Sequence, residues 1–437
     1  MKLFLDVTRI ATRIIGSAPT GIDRVEYAYA TEILRNHTDV DPVSVLTTPL
    51  FSGALRGAVI EEILARVANA WRLHQKPDQD RVYQDLKRHL ETPVDEQRSH
   101  SFRVRGERPV ERAVKQGYYP VRSLVRASTR LKRRIDRSNN QNRCYLNSSH
   151  TQLEHIERFL WTSSAAIKSV FFIHDLIPID YPEFVSPPSC ARHEGRLHTV
   201  SQLASAIIVN SDYTRRSVEK YLSAKNLPLP PVAVNPLGVS EWFSQANDLD
   251  TPKSAVPYFV AVSTLEPRKN FIFLFAVWRR LVELLGSKAP RLVVVGRRGW
   301  ENENVIDILE RSRSLGPFLV EATDLTDAGL ASLLTGAQAL IAPSTVEGFG
   351  LPIAEALALG VPVIASDIEA HHEVAGKCGT FINAIDGIGW LRAIERFLDS
   401  SQDMARRIIR ETYKPRTHAE HVRDSLSFMS SFLSSVS

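Results

Sequence analysis

The chain has 437 residues, 43% of them apolar and 24% charged, with a formal net charge of +5. That length exceeds one ordinary core and indicates two domains, and the composition excludes disordered, collagenous and disulfide-stapled classes. No apolar run is long enough to span a bilayer as a helix, and Cys144, Cys190 and Cys378 are too widely spaced for a disulfide framework or a zinc site, so a reduced, cytoplasmic setting is expected.

From the N-terminus, MKLFLDVTRI enters a strand directly, without the apolar core and cleavage site of a signal peptide. The stretch 16-GSAPTGIDRVEYAYATEIL-34 passes from a loop into a helix patterned by Ile22, Val25, Tyr29 and Ile33. Gly16 and Gly21 permit close backbone approach to a ligand, but the spacing is not G-x-G-x-x-G, so no dinucleotide site is predicted. Residues 71–140 break the pattern with polar, charged sequence and read as an insertion in the first domain. Within them, 103–137 hold twelve Lys or Arg against three Asp or Glu, and Val121, Leu124, Val125 and Leu131 recur at helical spacing among arginines. A plain solvated face is the simplest reading. Among partners, a basic amphipathic helix favours a membrane surface over nucleic acid, which is not expected to bind.

Further along, 145-YLNSSH-150, 170-VFFIHDL-176, 206-AIIVNS-211, 258-YFVAVST-264, 291-RLVVVG-296, 338-QALIAPS-344 and 361-VPVIAS-366 read as strands separated by helices. Continuous apolar runs in that alternation predict parallel strands buried on both faces, hence an α/β fold of two doubly wound units. The polar stretch 244–257 separates a first domain, 1–243, from a second, 258–400, and 401–437 is expected to be a helical tail packing back on the first. His174 closes its strand, where open α/β sheets bind ligands. It is suited to hydrogen-bond a sugar hydroxyl or to donate to a leaving phosphate; His150 is a weaker candidate of the same kind. Asp248-Leu249-Asp250 mimics a metal motif but lies in the linker, so no metal site is predicted.

Two constellations in the second domain point to one ligand. Arg268 and Lys269, in 263-STLEPRKN-270, sit between a strand's carboxyl end and a helix start, a place where the helix dipole prefers anions. Two cations there suit a diphosphate leaving group. In 347-EGFGLPIAEAL-357, Glu347 and Glu355 flank a Gly348-Phe349-Gly350 turn, with Pro352 in the first helical turn and Gly360 as the stop. Carboxylates beside helix N-terminal amides fit a molecule carrying both hydroxyls and phosphates, such as a nucleotide sugar.

Taken together, the Glu-x7-Glu pair around Gly-Phe-Gly-Leu-Pro, 265-LEPRKN-270, 174-HDLIP-178, 206-AIIVNSDYTRRSV-218, 235-NPLGV-239 and 360-GVPVIASD-367 resemble the family 4 retaining glycosyltransferases. The resemblance covers nearly all of the chain outside 71–140. It implies a GT-B fold, two Rossmann-like domains facing a central crevice. In that frame Lys269, with Arg268 beside it, contacts the donor diphosphate, and Glu355 binds the ribose. Glu347 and the amides of Phe349 and Gly350 hold the transferred sugar, Gly348 and Leu351 of the same turn belong to the donor site, His174 reaches the sugar from the first domain, and the loop around Gly21 lies near the donor phosphates and the acceptor. The implied reaction retains anomeric configuration, needs no cofactor or metal, and moves a hexose to a surface polysaccharide or lipid-linked oligosaccharide. GDP-mannose is the leading donor, ahead of a UDP-hexose, and the enzyme is expected at the inner face of the membrane. One departure stands out: Ser263-Thr264 replaces the Gly-Arg that many relatives carry, which leaves Arg268 to compensate. A nucleotide-sugar epimerase of similar fold and a non-catalytic module binding lipid or nucleic acid are the alternatives; the four residues His174, Lys269, Glu347 and Glu355 together count against both.

Overall fold

The computed structural model describes all residues except 14–18, 50, 95–99, 107–127, 137–141, 246–248, 250, 400–401 and 436–437. Its strands are β1 (Lys2–Asp6), β2 (Asp41–Thr47), β3 (Ser52–Leu55), β4 (Phe102–Arg105), β5 (Ser128–Arg130), β6 (Arg143–Asn147), β7 (Lys168–Ile173), β8 (Ala204–Val209) and β9 (Val232–Val234). They continue with β10 (Tyr258–Val262), β11 (Arg291–Val295), β12 (Leu319–Thr323), β13 (Leu340–Ala342), β14 (Val363–Ser366) and β15 (Gly379–Ile382). The chain divides into two units, one of Met1–Arg72, Glu107–Gly238 and Arg416–Ser437, the other of Leu73–Gly106 and Val239–Pro415.

The first unit is built on a sheet of order β5-β3-β2-β1-β6-β7-β8-β9, parallel from β2 through β9 and antiparallel at β3 and β5. Its strands are apolar on both faces, as helices on either side require. Phe4, Tyr145, Phe171 and Ile207 meet Leu197, Val200, Val218 and Leu222 from the Pro187–Leu203 and Asp212–Ala224 helices. The Gly21–Asn36 helix starts with a capping box in which Thr20 and Asp23 satisfy each other's free amides. Against it lies the last helix, His418–Ser435, held by the hydroxyl pair Tyr29–Ser425 and by Asn235, whose amide donates to the His421 carbonyl at 2.9 Å.

The second unit carries a fully parallel sheet of order β15-β14-β13-β10-β11-β12-β4. Here the sequence expectation needs correction. Residues 73–106, read as part of an insertion in the first domain, belong to this second unit and supply its edge strand, β4, which pairs with β12 in the register Phe102↔Val320 to Arg105↔Thr323. Two polar devices fix them there. The buried guanidinium of Arg291 donates to the carbonyls of His89, Leu90, Thr92 and Pro93 at 2.9 to 3.2 Å, closing the end of the Arg81–Glu91 helix. Asp80, which caps the start of that helix, accepts the Thr326 amide at 2.7 Å. Asp80, one of the charged residues of the stretch read as an insertion, is therefore engaged with an internal partner. The basic amphipathic helix expected over 121–134 is also revised, because 128–130 form β5 and only Leu131–Asp136 is helical; 121–127 lie outside the described residues. The domain boundaries move as well. Residues 239–257 join the second unit, where the Trp242 indole donates to the Leu73 carbonyl at 2.9 Å, and the tail divides, the Asp403–Thr412 helix with the second unit and 416–437 with the first.

Candidate functional site

In the second unit, the chain leaves β10 through Ser263 to Glu266, makes a single turn at Pro267–Lys269, and enters the Phe271–Leu285 helix after Asn270, whose φ is +59°. The neighbouring strand, β13, runs through Pro343 to Gly350 into the Leu351–Ala358 helix. The Thr345 amide, donating to the Arg268 carbonyl at 2.9 Å, ties the two loops together. Both junctions lie at carboxyl ends of adjacent parallel strands, the expected position for ligand contacts in this class of sheet.

At that position Glu347 holds both cations. Arg268 Nη1 donates to one carboxylate oxygen at 2.8 Å, Lys269 Nζ and the Ser344 hydroxyl donate to the other, the latter at 2.7 Å. Their side chains are 12 to 20% exposed. Although burial pushes the Glu347 carboxyl up, Lys269 and Arg268 outweigh it and hold the group far below the usual carboxylate range. Burial, with the Arg268 charge beside it, brings the Lys269 ammonium down from its ordinary value. Two cations on one carboxylate make a strongly polarised group whose partners can be exchanged for an incoming anion.

The glycine turn has the conformation its sequence demands. Gly350 adopts φ +102°, open only to glycine without strain, and caps the helix; Pro352 follows in the first turn and Gly360, at φ +73°, ends it. The Gly350 carbonyl receives the amides of Ile353 and Ala354 at 2.9 and 3.4 Å. With Pro352 lacking an N–H, the expectation of several bare amides shrinks, and Leu351 is left as the first-turn donor that a ligand can use. Glu355 sits inside the helix at 3% exposure. It does not line the small cleft shared by Ser263, Lys269, Ser344, Glu347, Gly350 and His371. Gly348 and Phe349 complete the turn, the Phe349 ring buried.

Ser344 and His371 are site residues that sequence reasoning missed. His371 lies on the Glu369–Ala375 helix after β14, its Nδ1 donating to the Ser366 carbonyl at 2.9 Å, which leaves Nε2 as an acceptor. The ring lies so close to Gly350 that a Cβ there would meet Cδ2 at 3.4 Å. Position just beyond the end of a parallel strand was the signal that could have found it.

Within the first unit, His174 does end β7 but is buried, its Nε2 donating to the Ser148 carbonyl at 2.8 Å and its amide donating to His150 Nε2 at 3.1 Å. Burial pushes His174 down to about 4. A neutral ring with Nε2–H already engaged cannot deliver a proton near neutral pH, so the proton-donating role expected of it is set aside, and a hydrogen-bonding role through Nδ1 is the one its geometry leaves. His193 completes the cluster, donating from Nε2 to the Asp175 carbonyl at 3.0 Å. Nearby, two buried carboxyls went unnoticed in the sequence. Asp6, at the end of β1, accepts from Thr8, Thr47 and Tyr145, and Glu26 accepts the Ile10 amide at 2.8 Å. Burial, and the proximity of Asp6, push Glu26 up to about 8. Gly21 is exposed at the start of its helix, whereas Gly16 lies outside the described residues.

Known proteins match this architecture. The profile of glycosyl transferases group 1 matches residues 256–400, the segment that carries Arg268, Lys269, Glu347 and the glycine turn. Residues 256–400 are a group 1 glycosyltransferase domain. Over 234 residues the chain is 28% identical to the O-antigen chain mannosyltransferase B of Escherichia coli, covering 51% of this chain and 59% of that protein. It is 26% identical over 251 residues to the serotype-specific mannosyltransferase WbdA of the same organism, covering 54% of this chain but 30% of WbdA. The MMP alpha-(1->4)-mannosyltransferase of Mycolicibacterium hassiacum is 36% identical over 172 residues, with coverage of 35% and 41%. The chain thus spans less than two thirds of these curated relatives. Among solved structures, Anabaena HepE in complex with UDP aligns over 100% of this chain and 98% of its own at TM-score 0.53 and 14% identity. The trehalose 6-phosphate synthase of Burkholderia multivorans aligns over 67% and 72% at 0.52. The shared architecture is that of GT-B glycosyltransferases, two Rossmann-like domains, here with the glycosyltransferase domain as the second. Among the described residues no helix is long and apolar enough to cross a membrane, and no group of three or more His, Cys, Asp or Glu side chains could hold a metal.

Proposed function

We propose that the chain is a retaining hexosyltransferase that moves mannose from GDP-mannose to a growing surface polysaccharide or lipid-linked oligosaccharide. The observation that carries this reading is the Arg268–Lys269–Glu347 array beside the Gly350 turn, set at the carboxyl ends of β10 and β13 in the glycosyltransferase domain. Mannosyltransferases among the relatives favour the sugar, and the O-antigen relatives favour the acceptor class.

In the proposed reaction the donor's diphosphate takes Arg268 and Lys269 from Glu347, with the Leu351 amide as a further donor. The released Glu347 carboxylate then accepts hydrogen bonds from hydroxyls of the sugar. As the bond from the sugar's anomeric carbon to the diphosphate oxygen breaks, the diphosphate leaves with the electron pair, and the two cations stabilise that charge. The acceptor hydroxyl attacks on the same face, and its proton passes to the departing diphosphate oxygen. No protein nucleophile takes part, and the two cations supply the charge that a metal supplies elsewhere. Glu355 is assigned to the ribose, and His174 to a sugar hydroxyl through Nδ1.

The test is a calorimetric panel of nucleotide sugars against wild type and Lys269→Met, followed by anomeric analysis of the product with a glycan acceptor, with and without a chelator. Binding of GDP-mannose that Lys269→Met abolishes, retained configuration, and indifference to the chelator are expected. A nucleotide sugar altered in place, with no transfer, would instead identify an epimerase, and failure of every donor to bind would remove the proposal. Contact with the inner membrane face is a separate part of the reading. Because β4 and β5 belong to the two sheets, deletion of 103–137 is no clean test of it. Neutralising Arg108, Arg112, Lys115, Arg122 and Arg126 should instead abolish sedimentation with anionic vesicles.

A further inference from the structure

The first unit holds a second cleft that plays no part in the proposed transfer. It opens between the Leu131–Asp136 helix and the segment from Glu157 to Ala166, with a volume of about 1,010 Å³. That is the upper end of the roughly 300–1,000 Å³ typical of small-molecule pockets. Phe51, Leu131, Ile135 and Trp161 give it an apolar wall, and Arg143 and Arg158 line it too. Trp161 is fixed in place, its ring edge-on to Phe4 and Tyr145 with centroids 5.9 and 5.4 Å away.

Among the described residues, three buried donors on side chains lining this space have no acceptor: Trp161 Nε1, Arg143 Nε and Arg158 Nη1. No ion pair holds either guanidinium among the described residues, and Glu157, the carboxylate in the lining, is turned to His155 at 3.6 Å. A buried donor left unsatisfied costs about 1–3 kcal/mol, more where the group is charged. Three on residues that line one apolar-walled cleft form a cost that a ligand rich in acceptors relieves once these side chains turn to it. A bare inorganic anion would leave the apolar wall wet. A neutral amphiphile would leave two guanidinium groups unpaired.

We infer that this cleft binds an amphiphilic anion, a single phosphate or carboxylate head on an apolar chain. Arg143, Arg158 and the Trp161 indole N–H take the head, and Phe51, Leu131 and Ile135 take the chain. The inference does not depend on glycosyl transfer, since its test reads binding alone.

The experiment is calorimetry on the full chain with decyl phosphate below its micelle concentration, inorganic phosphate and decanol as separate probes. One saturable site for decyl phosphate is expected, with the other two probes at least tenfold weaker. Arg143→Gln with Arg158→Gln should weaken decyl phosphate at least tenfold with an unchanged thermal melt. Should that pair fail to fold, Trp161→Phe, which keeps the ring and removes the N–H, should weaken it about threefold, an effect that packing alone would not produce. Vesicles containing phosphatidic acid form a second arm. Sedimentation that the double variant abolishes places the head in a bilayer, and decyl phosphate binding without sedimentation makes the ligand a free amphiphile; either outcome sustains the cleft. Absence of saturable decyl phosphate binding, equal binding by the folded variants, or equal affinity for inorganic phosphate overturns it.

Discussion

Glu347→Gln is the substitution that isolates the ion triad. It keeps the side chain's shape and an acceptor oxygen for Ser344, but takes the shared carboxylate from Arg268 and Lys269, which stay adjacent and mostly buried with Glu266, 3.4 Å from Arg268, as the remaining counter-charge. Breaking a buried pair from one side costs about 3–5 kcal/mol; the 12 to 20% exposure of these side chains places the effect near the lower value, about 3 kcal/mol. For a unit of this size that corresponds to a fall in Tm of roughly 6–12 °C. The assay is scanning calorimetry at pH 7.5 with and without pyrophosphate. Since the wild-type cations must first be taken from Glu347, the variant should bind pyrophosphate at least tenfold more tightly and regain more Tm on its addition. Transfer to acceptor should nevertheless fall, because the sugar hydroxyls lose their carboxylate. The sign of the pH dependence follows from the depressed carboxyl. Its stabilisation is fully present above the ordinary carboxylate value and is lost as pH falls from about 4.5 toward the folded value, a slope the variant should lack. A Tm within about 2 °C of wild type, together with no gain in pyrophosphate affinity, would refute the reasoning.

Other consequences are open to measurement. Gly350→Ala places a Cβ on a residue at φ +102°, at about 1–2 kcal/mol of backbone strain, and should weaken donor binding in calorimetry more than it lowers Tm. Arg291→Met removes a donor from four carbonyls, of which His89 and Leu90 keep others, and should cost about 3 kcal/mol, with limited proteolysis cutting between 73 and 106 before any other site. His174 is pushed down to about 4 by burial, so the unfolded chain binds the extra proton first. First-unit stability should therefore fall by about 3 kcal/mol as pH drops from about 6.5 to 4, and chemical denaturation of His174→Gln should show a shallower pH dependence.

Much of this was legible in the residues themselves. Buried parallel strands announce themselves as unbroken apolar runs, which is why β7, β8, β10, β11 and β13 could be placed without coordinates. The Gly350 turn was legible because only glycine relieves a positive φ and proline tolerates the turn that follows. What escaped did so for a physical reason. The Arg81–Glu91 helix and β4 are short and charged, and their burial depends on Arg291 and on Thr326, which Asp80 accepts from, partners far away in sequence. His371, Glu26 and Asp6 are single polar residues whose partners come from other elements, without a motif to mark them. The pairing of Lys269 with Glu347 is likewise invisible to a linear reading, which assigns each of them its own part of a ligand.

The interleaving of segments bears on how the protein is made. A ribosome releases Phe102 long before the Val320 it must pair with, and Tyr29 long before Ser425. The nascent chain therefore carries β4 unpaired until β12 emerges, and the first unit stays without its last helix until the end of synthesis, so folding within cells should lean on chaperones. The same order of assembly frustrates dissection by simple truncation. A fragment ending at Gly238 lacks the closing helix of the first unit, and one starting at Val239 lacks the edge strand of the second. Isolated units therefore call for re-joined segments, with 73–106 grafted ahead of 239–415 and 416–437 returned to the remainder.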